Sequence, residues 1–389
     1  MKLDQFALER YQSIWEHRVQ WNLSESGVQP LKVSDLIDAP ELLDRLLNQG
    51  LGYPQTNGTI ELRERVASLY PGAAAGHVQI TNGSSEAMCV LLMRLVEPGD
   101  ELVFLMPNYM QAPGLARALG AAVRPWRLRE TDGAGQRRWT ADLEELRTLV
   151  GPRTRAVLIC TPNNPTGARL DDATLNGIAA IAGAVGAWVV SDEVYRGAER
   201  EADDTPSMWG RYERAIVTSG LSKAYGLPGL RIGWAVGPPS LIDDLWAMHD
   251  YTTISPGAVN DALAQLALDP ARRSALIART RGIIRSNYPV VRHWLEGVGG
   301  LAHIAPEAGA IVFFRYPHAT PSVELTTELR ERRGVLIVPG DHFGTEGYLR
   351  IGFGSDPEYL TAALEIIGDF LRSLPRERSR NSAAINGVR

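Results

Sequence analysis

Of the 40 Lys and Arg residues in this 389-residue chain, three are lysine: Lys2, Lys32 and Lys223. A chemistry that needs a lysine amine, such as Schiff-base formation with an aldehyde, therefore has three candidates. Lys2 lies at the terminus and Lys32 in a Pro-flanked connection. Lys223 stands in a Gly-rich turn between two strand-like runs, where catalytic groups tend to be displayed, although a solvated turn lysine is the plainer reading of it taken alone. Asp192 closes the apolar run Ala187–Ser191, and Tyr195 follows three residues later. A carboxylate there is costly to bury unless it meets a cation; otherwise it reads as a helix cap. Asn164 sits in Pro162-Asn163-Asn164-Pro165-Thr166-Gly167, where the prolines fix a turn. Gly83, Ser84 and Ser85 bridge a strand and a helix. Small residues at that place let backbone N–H groups and hydroxyls close on a phosphate, aided by the helix dipole, or simply supply an N-cap. Arg350, between Leu349 and Ile351, offers a planar guanidinium that can hold a carboxylate through two parallel hydrogen bonds, or a surface ion pair.

Taken in order, these segments resemble one family. The stretch from Thr218 through Leu221-Ser222-Lys223-Ala224-Tyr225-Gly226 to Arg231-Ile232-Gly233-Trp234 is similar to the Schiff-base segment of class I/II aminotransferases, pyridoxal-5'-phosphate (PLP) enzymes of the aspartate-aminotransferase-like fold type I. The resemblance implies that Lys223 carries PLP as an aldimine and that Arg231 contacts its phosphate. Asp192 then keeps the pyridine nitrogen protonated, and Tyr195 and Asn164 donate to the phenolate oxygen. Tyr109, in Pro107-Asn108-Tyr109, falls where the family stacks an aromatic ring on the pyridine. Gly52-Tyr53-Pro54 matches a segment whose tyrosine reaches the phosphate of the neighbouring subunit, which implies a homodimer with shared active sites. Arg350 matches the arginine that binds the substrate carboxylate, and Gly27 the glycine of an entrance loop. One position departs from the pattern. Three residues before Lys223 the family usually has Ser or Thr for the phosphate, and here stands Gly220, with Ser222 or Ser219 as substitutes. The likeness runs from Phe6 to Leu374.

The elements that must hold these residues alternate. Apolar strands His77–Thr81, Glu101–Met106, Arg155–Cys160, Ala187–Ser191, Ala215–Ser219 and Arg231–Val236 are separated by helical runs Ser85–Val96, Pro113–Leu119, Leu143–Leu149 and Asp172–Gly183. That order implies an α/β fold with a mostly parallel sheet and ligand chemistry at the carboxyl ends of its strands. After Leu241 a long helical tract, Arg272–Leu295, leads to strand-like runs Ala310–Tyr316, Val335–Val338 and Tyr348–Phe353. These read as an α+β small domain, joined by the N-terminal helix Phe6–Trp15. The expected division is a large PLP-binding domain over 46–290, a small domain from 1–45 and 291–375, and a disordered tail over 376–389.

Composition narrows the partners. A net charge of −5 with no dense basic stripe argues against nucleic acid. No apolar run is long enough to span a bilayer, and the first residues lack a secretory h-region. Cys89 and Cys160 read as buried thiols of a cytoplasmic protein, with no metal site.

The expected reaction is transamination between an L-amino acid and a 2-oxo acid. A specialised PLP reaction (elimination, replacement or cyclisation) is the alternative, because Leu221–Trp234, Asp250–Ser255 and Gly334–Gly344 also resemble capreomycidine-synthase-like enzymes. A non-catalytic regulator would need a DNA-binding helix pair that the residues before Tyr53 do not provide. Substrate side chains should meet Trp21–Val28 and Tyr251–Ser255, where Glu25 either attracts a basic group or faces water.

Overall fold

The computed structural model describes residues 2–133, 136–201 and 203–375. The tail expected over 376–389 lies outside them. Its centre is an eight-stranded sheet in the order Val78–Thr81, Gly233–Val236, Ala215–Gly220, Trp188–Asp192, Thr154–Cys160, Glu101–Met106, Ala122–Gly133 and Gln136–Ala141. Five neighbours, from Ala215–Gly220 across to Ala122–Gly133, are mutually parallel. Gly233–Val236 runs against both of its partners, so Val78–Thr81 points the same way as the five.

Central strands are continuous apolar runs because both faces of the sheet are covered. Along Glu101–Met106 the period of two is plain. Leu102, Phe104 and Met106 pack with Leu91, Leu95 and Leu245, from the helices Ser84–Leu95 and Pro239–His249. Val103 and Leu105 face the opposite core, with Leu175 and Ile178 of the helix Asp172–Gly183.

A second, antiparallel sheet orders Ala302–His303, Ile311–Arg315, Tyr348–Gly352 and Val338–Pro339. Against it lie the 29-residue helix Pro270–Val298 and the helix Pro357–Ser373. The N-terminal segment is tied to this part of the molecule. Trp21–Asn22 pairs in parallel with Val335–Leu336, and Gly352 N–H donates to Leu23 O at 2.7 Å. Gly352 is required there: a Cβ would sit 1.7 Å from Glu25 O.

Most expected elements stand within two residues of their predicted ends, with three informative differences. The strand expected from Arg231 begins at Gly233, because Arg231 has a left-handed backbone (φ 48°) that cannot continue a strand. The hairpin Ala122–Gly133 with Gln136–Ala141 was not expected. Its inward Trp126, Leu128 and Trp139 are interleaved with five arginines, which dilute the alternation. The helix Ser322–Arg333 also escaped notice, being charged along most of its length with Leu325 and Leu329 as its buried anchors.

Candidate active site

The strands that point one way deliver their carboxyl ends to one edge of the large sheet. There Thr81 leads to Gly83, Met106 to Tyr109, Cys160 to Asn164 and Gly220 to Lys223, while Asp192 ends its own strand. Around these residues is a cavity of about 300 Å³. Of the residues expected from sequence, it brings together Ser84, Ser85, Tyr109, Asn164, Asp192, Tyr195, Ser222, Lys223, Arg231 and Arg350. Gly83 lies immediately behind Ser84. Gly27 lines an adjoining chamber of about 520 Å³, which shares Glu16, Glu25, Ser222, Lys223 and Pro228 with the first. Tyr53 is not in either: it is exposed on the surface.

Lys223 is half-buried on the cavity wall, its Nζ 4.0 Å from Glu25 Oε2. Desolvation lowers its pKa, opposed by the Glu25 carboxylate and reinforced by Arg350. Asp192 accepts the Val194 N–H at 3.2 Å. Desolvation pushes its carboxyl up to about 7, against the pull of that hydrogen bond. No helix follows Asp192, which removes the capping explanation. Tyr195 is buried and its hydroxyl has no hydrogen-bond partner; burial raises its pKa.

Gly83 is the N-cap of the helix Ser84–Leu95, at φ 93°, and offers no side-chain cap. The alternative of Ser84 as N-cap is thereby excluded. Arg231 lies against this turn: a Cβ on Gly83 would stand 2.3 Å from Arg231 Nη2. Helix start, glycine and guanidinium together make a cradle of the kind that suits an anion. The same packing explains Gly220. A Cβ there would stand 2.9 Å from Ile232 O, and one on its strand partner Gly233 would stand 2.2 Å from Ser84 N. This close backbone approach leaves no room for Ser or Thr at 220. Of the two proposed substitutes, Ser222 lines the cavity, whereas the buried Ser219 turns its hydroxyl to Glu193 O at 3.2 Å.

Arg350 comes from the small sheet and is almost fully buried, at 1% exposure, which excludes a surface ion pair. Nη1 donates to Asn164 Oδ1 at 2.9 Å and Nη2 to Ser24 O, while Nε has no partner. With two of five N–H groups engaged, three remain. The Asn164 oxygen is occupied by Arg350, so its amide N–H₂ is the group left to donate. Tyr109 donates to Glu9 Oε1 at 2.7 Å and packs edge-on against Phe6 at 4.8 Å.

That contact introduces what sequence reasoning missed. Glu9, Gln12, Ser13 and Glu16, from the N-terminal helix Ala7–Trp15 and its C-cap, all line the cavity. Their spacing is i, i+3, i+4, i+7, one polar stripe of a helix, and it was visible in the sequence. Nothing in the sequence said that the stripe faces a cavity instead of water.

The sequence profile of the family described as aminotransferase class I and II matches residues 36–367. The chain belongs to that family. It is a PLP-dependent enzyme of fold type I, and PLP is the cofactor. Over 98% of this chain and 96% of the other's length, it is 33% identical to the capreomycidine synthase of Streptomyces vinaceus. To an arginine–pyruvate transaminase of Pseudomonas aeruginosa it is 29% identical, covering 81% of each chain. The crystal structure of a PLP-dependent aminotransferase from Streptococcus suis superposes with a TM-score of 0.89 at 34% identity, covering 97% of this chain and all of that one. The aminotransferase cofactor fits the residues present. A desolvated carboxylate, an unpartnered buried hydroxyl and a glycine-lined cradle under a guanidinium match a pyridinium, a phenolate and a phosphate. Among the described residues, no helix is long and apolar enough to cross a membrane.

Proposed function

We propose that this enzyme moves the amino group of an L-amino acid to a 2-oxo acid, with Lys223 as the residue that carries the cofactor. The observation that supports this reading best is the pairing, in one cavity, of the Lys223 amine with the buried, incompletely bonded Arg350. One receives the reacting centre and the other the substrate carboxylate. When bound, PLP supplies a ring that accepts the electron pair released as the Cα–H bond breaks.

The protein's own groups do the rest. Asp192 holds a proton on the ring nitrogen by presenting a carboxylate that burial leaves in need of a cation. Tyr195 and the Asn164 amide donate to the phenolate oxygen, and Tyr109 covers the ring. Backbone N–H groups of Ser84 and Ser85, the hydroxyl of Ser222, and Arg231, with Gly83 keeping the approach clear, hold the phosphate. Lys223, once its amine is free, takes the proton from Cα; the desolvation that lowers its pKa favours the neutral, basic form of the amine. Arg350 fixes the carboxylate, Asn164 steadies Arg350, and Gly27 leaves the entrance open beside Lys223.

A second reading is elimination, replacement or cyclisation of an amino acid. The 33% identity to a capreomycidine synthase over nearly the whole chain supports it. One experiment separates the two. Holoenzyme is mixed with single amino acids in the absence of a 2-oxo acid, and absorbance and products are followed. Transamination releases one equivalent of 2-oxo acid per site and leaves pyridoxamine phosphate. Continued consumption of an amino acid without that stoichiometry would replace the first reading with the second.

The assembly proposed is a homodimer in which Tyr53 serves the partner's phosphate. Support comes from the exposed Leu47, Leu51 and Tyr53, at 75%, 84% and 82% exposure, an apolar surface that asks for cover. The division into residues 46–290 against 1–45 with 291–375 rests likewise on the separation of the eight-stranded sheet from the four-stranded one.

A further inference from the structure

We propose that His249 and Thr253, neither of which lines the cavity, are positioning residues that fix the phosphate cradle through Glu86 and Asn82. The proposal rests on the reading of Gly83, Ser84, Ser85 and Arg231 as that cradle.

The contacts form a closed network. Glu86, in the first turn of the cradle helix, accepts the Asn82 N–H through Oε2 at 2.6 Å and the Thr253 hydroxyl through Oε1 at 2.8 Å. The Thr253 hydroxyl in turn accepts from Asn82 Nδ2 at 2.6 Å, and the same amide donates to Ser255 O at 3.1 Å. Asn82 is thus held by both its main chain and its side chain, one residue before Gly83. Its carbonyl receives Arg231 Nη2 at 3.5 Å, so the two halves of the cradle meet on it.

His249 completes the arrangement from behind. Its ring is fully buried and its Nε2 lies 3.1 Å from Glu86 Oε2. Gln79 Nε2 donates to Ile80 O at 2.8 Å, which orients that amide and turns N–H toward His249 Nδ1 at 3.4 Å. A ring nitrogen facing a donor must accept, so the proton sits on Nε2 and is given to Glu86. Burial opposes ionisation of Glu86, yet its donors, His249 foremost, hold its pKa down at about 2. The carboxylate stays charged, turned onto Asn82, His249 and Thr253. The partner segment is itself distorted: Ile254, next to Thr253, is one of two non-glycine residues with positive φ among the described residues, at 70°. A β-branched residue keeps that backbone only where its surroundings impose it.

The test compares PLP with pyridoxal, which lacks the phosphate, as ligands of the full-length apoprotein in spectroscopic titrations. Melting curves check that each variant folds. His249→Phe and Thr253→Val should each weaken PLP binding by about tenfold to a hundredfold, the effect of losing a hydrogen bond to a buried charge. Pyridoxal binding should stay at the parent value, and His249→Gln, whose amide can still donate to Glu86, should recover most of the PLP affinity. Thr253 is exposed, so Thr253→Val carries the test if His249→Phe does not fold. Equal weakening of both ligands, or no change in PLP affinity, would overturn the proposal while leaving the cradle in place. A parent protein that binds the two ligands equally would overturn the cradle reading, and this inference with it.

Discussion

The floor and the roof of the cavity are built on different principles. Floor residues come from strand ends of one sheet, are mostly buried, and carry distorted electrostatics: Asp192 desolvated, Tyr195 without a partner, Lys223 with a lowered pKa. The roof comes from residues 8–26, an N-terminal helix and a short strand, and presents Glu9, Gln12, Ser13, Glu16 and a well-exposed Glu25. Buried strand ends hold a group in one geometry, because the flanking hydrogen bonds and core packing leave no alternative. A polar helix surface laid over the cavity stands outside that packed sheet, so most of its residues can change without disturbing the strand-end geometry. On the proposed reading, cofactor chemistry belongs to the floor and substrate selection has room to vary in the roof.

This division can be broken by experiment. The largest effect should follow Lys223→Ala, which removes the one lysine amine in the cavity: activity falls by about 10⁴-fold, the upper end for a lost general base. Borohydride reduction of the parent holoenzyme, followed by peptide mass spectrometry, should place a pyridoxyl group on Lys223; a label on Lys32 would undo the floor assignment.

Asp192→Asn comes next, with turnover reduced by about 10²- to 10³-fold, as for one preorganised electrostatic contact. The cofactor-free protein adds a pH signature. The folded value of about 7 exceeds the ordinary carboxyl value, so the folded state holds the proton more tightly than the unfolded state. Stability is therefore full below the ordinary carboxyl value of 3.8, falls as pH rises from there to about 7, and levels off above it. Melting temperatures of the cofactor-free Asn variant should lack this loss, and an unchanged slope would show that Asp192 is not desolvated.

Arg350→Lys should lower kcat/KM about tenfold to a hundredfold through loss of the forked geometry, with PLP affinity kept. Steady-state kinetics beside a PLP titration check both halves of that statement. The smallest effect belongs to the roof. Glu25→Gln should alter the ratio of rates with cationic and neutral amino acids only several-fold, since exposed charge pairs contribute at most about 1 kcal/mol. If Glu25→Gln outweighed Arg350→Lys, the roof would be part of the catalytic machinery and the comparison would fail.

Much of the floor was legible in sequence because its chemistry demands particular residue types at strand ends. Asp192, Tyr195, Asn164 and Lys223 meet in one cavity as their segments suggested, and Arg350 reaches it from the small sheet. Three lysines in 389 residues left little choice for the carrier, and the short apolar run Glu101–Met106 read as a buried strand, as it is. Local pattern determined that much: which segments are strands, and which polar residues close them.

Local pattern could not say which surfaces face one another. The stripe Glu9-Gln12-Ser13-Glu16 looks like any solvated helix face until Trp21–Asn22 pairs with Val335–Leu336 and brings the helix over the cavity. Gly220 looked like a missing phosphate ligand until the backbones of Ile232 and Gly233 were seen to occupy the space of its side chain. His249, 163 residues from Glu86 in the chain, carried no signal at all. The physical reason is common to all three. Hydrophobic periodicity is set by the nearest turns of the chain, whereas close backbone approach and buried polar pairing depend on segments far apart in sequence, and those distances exist only once the sheets have packed.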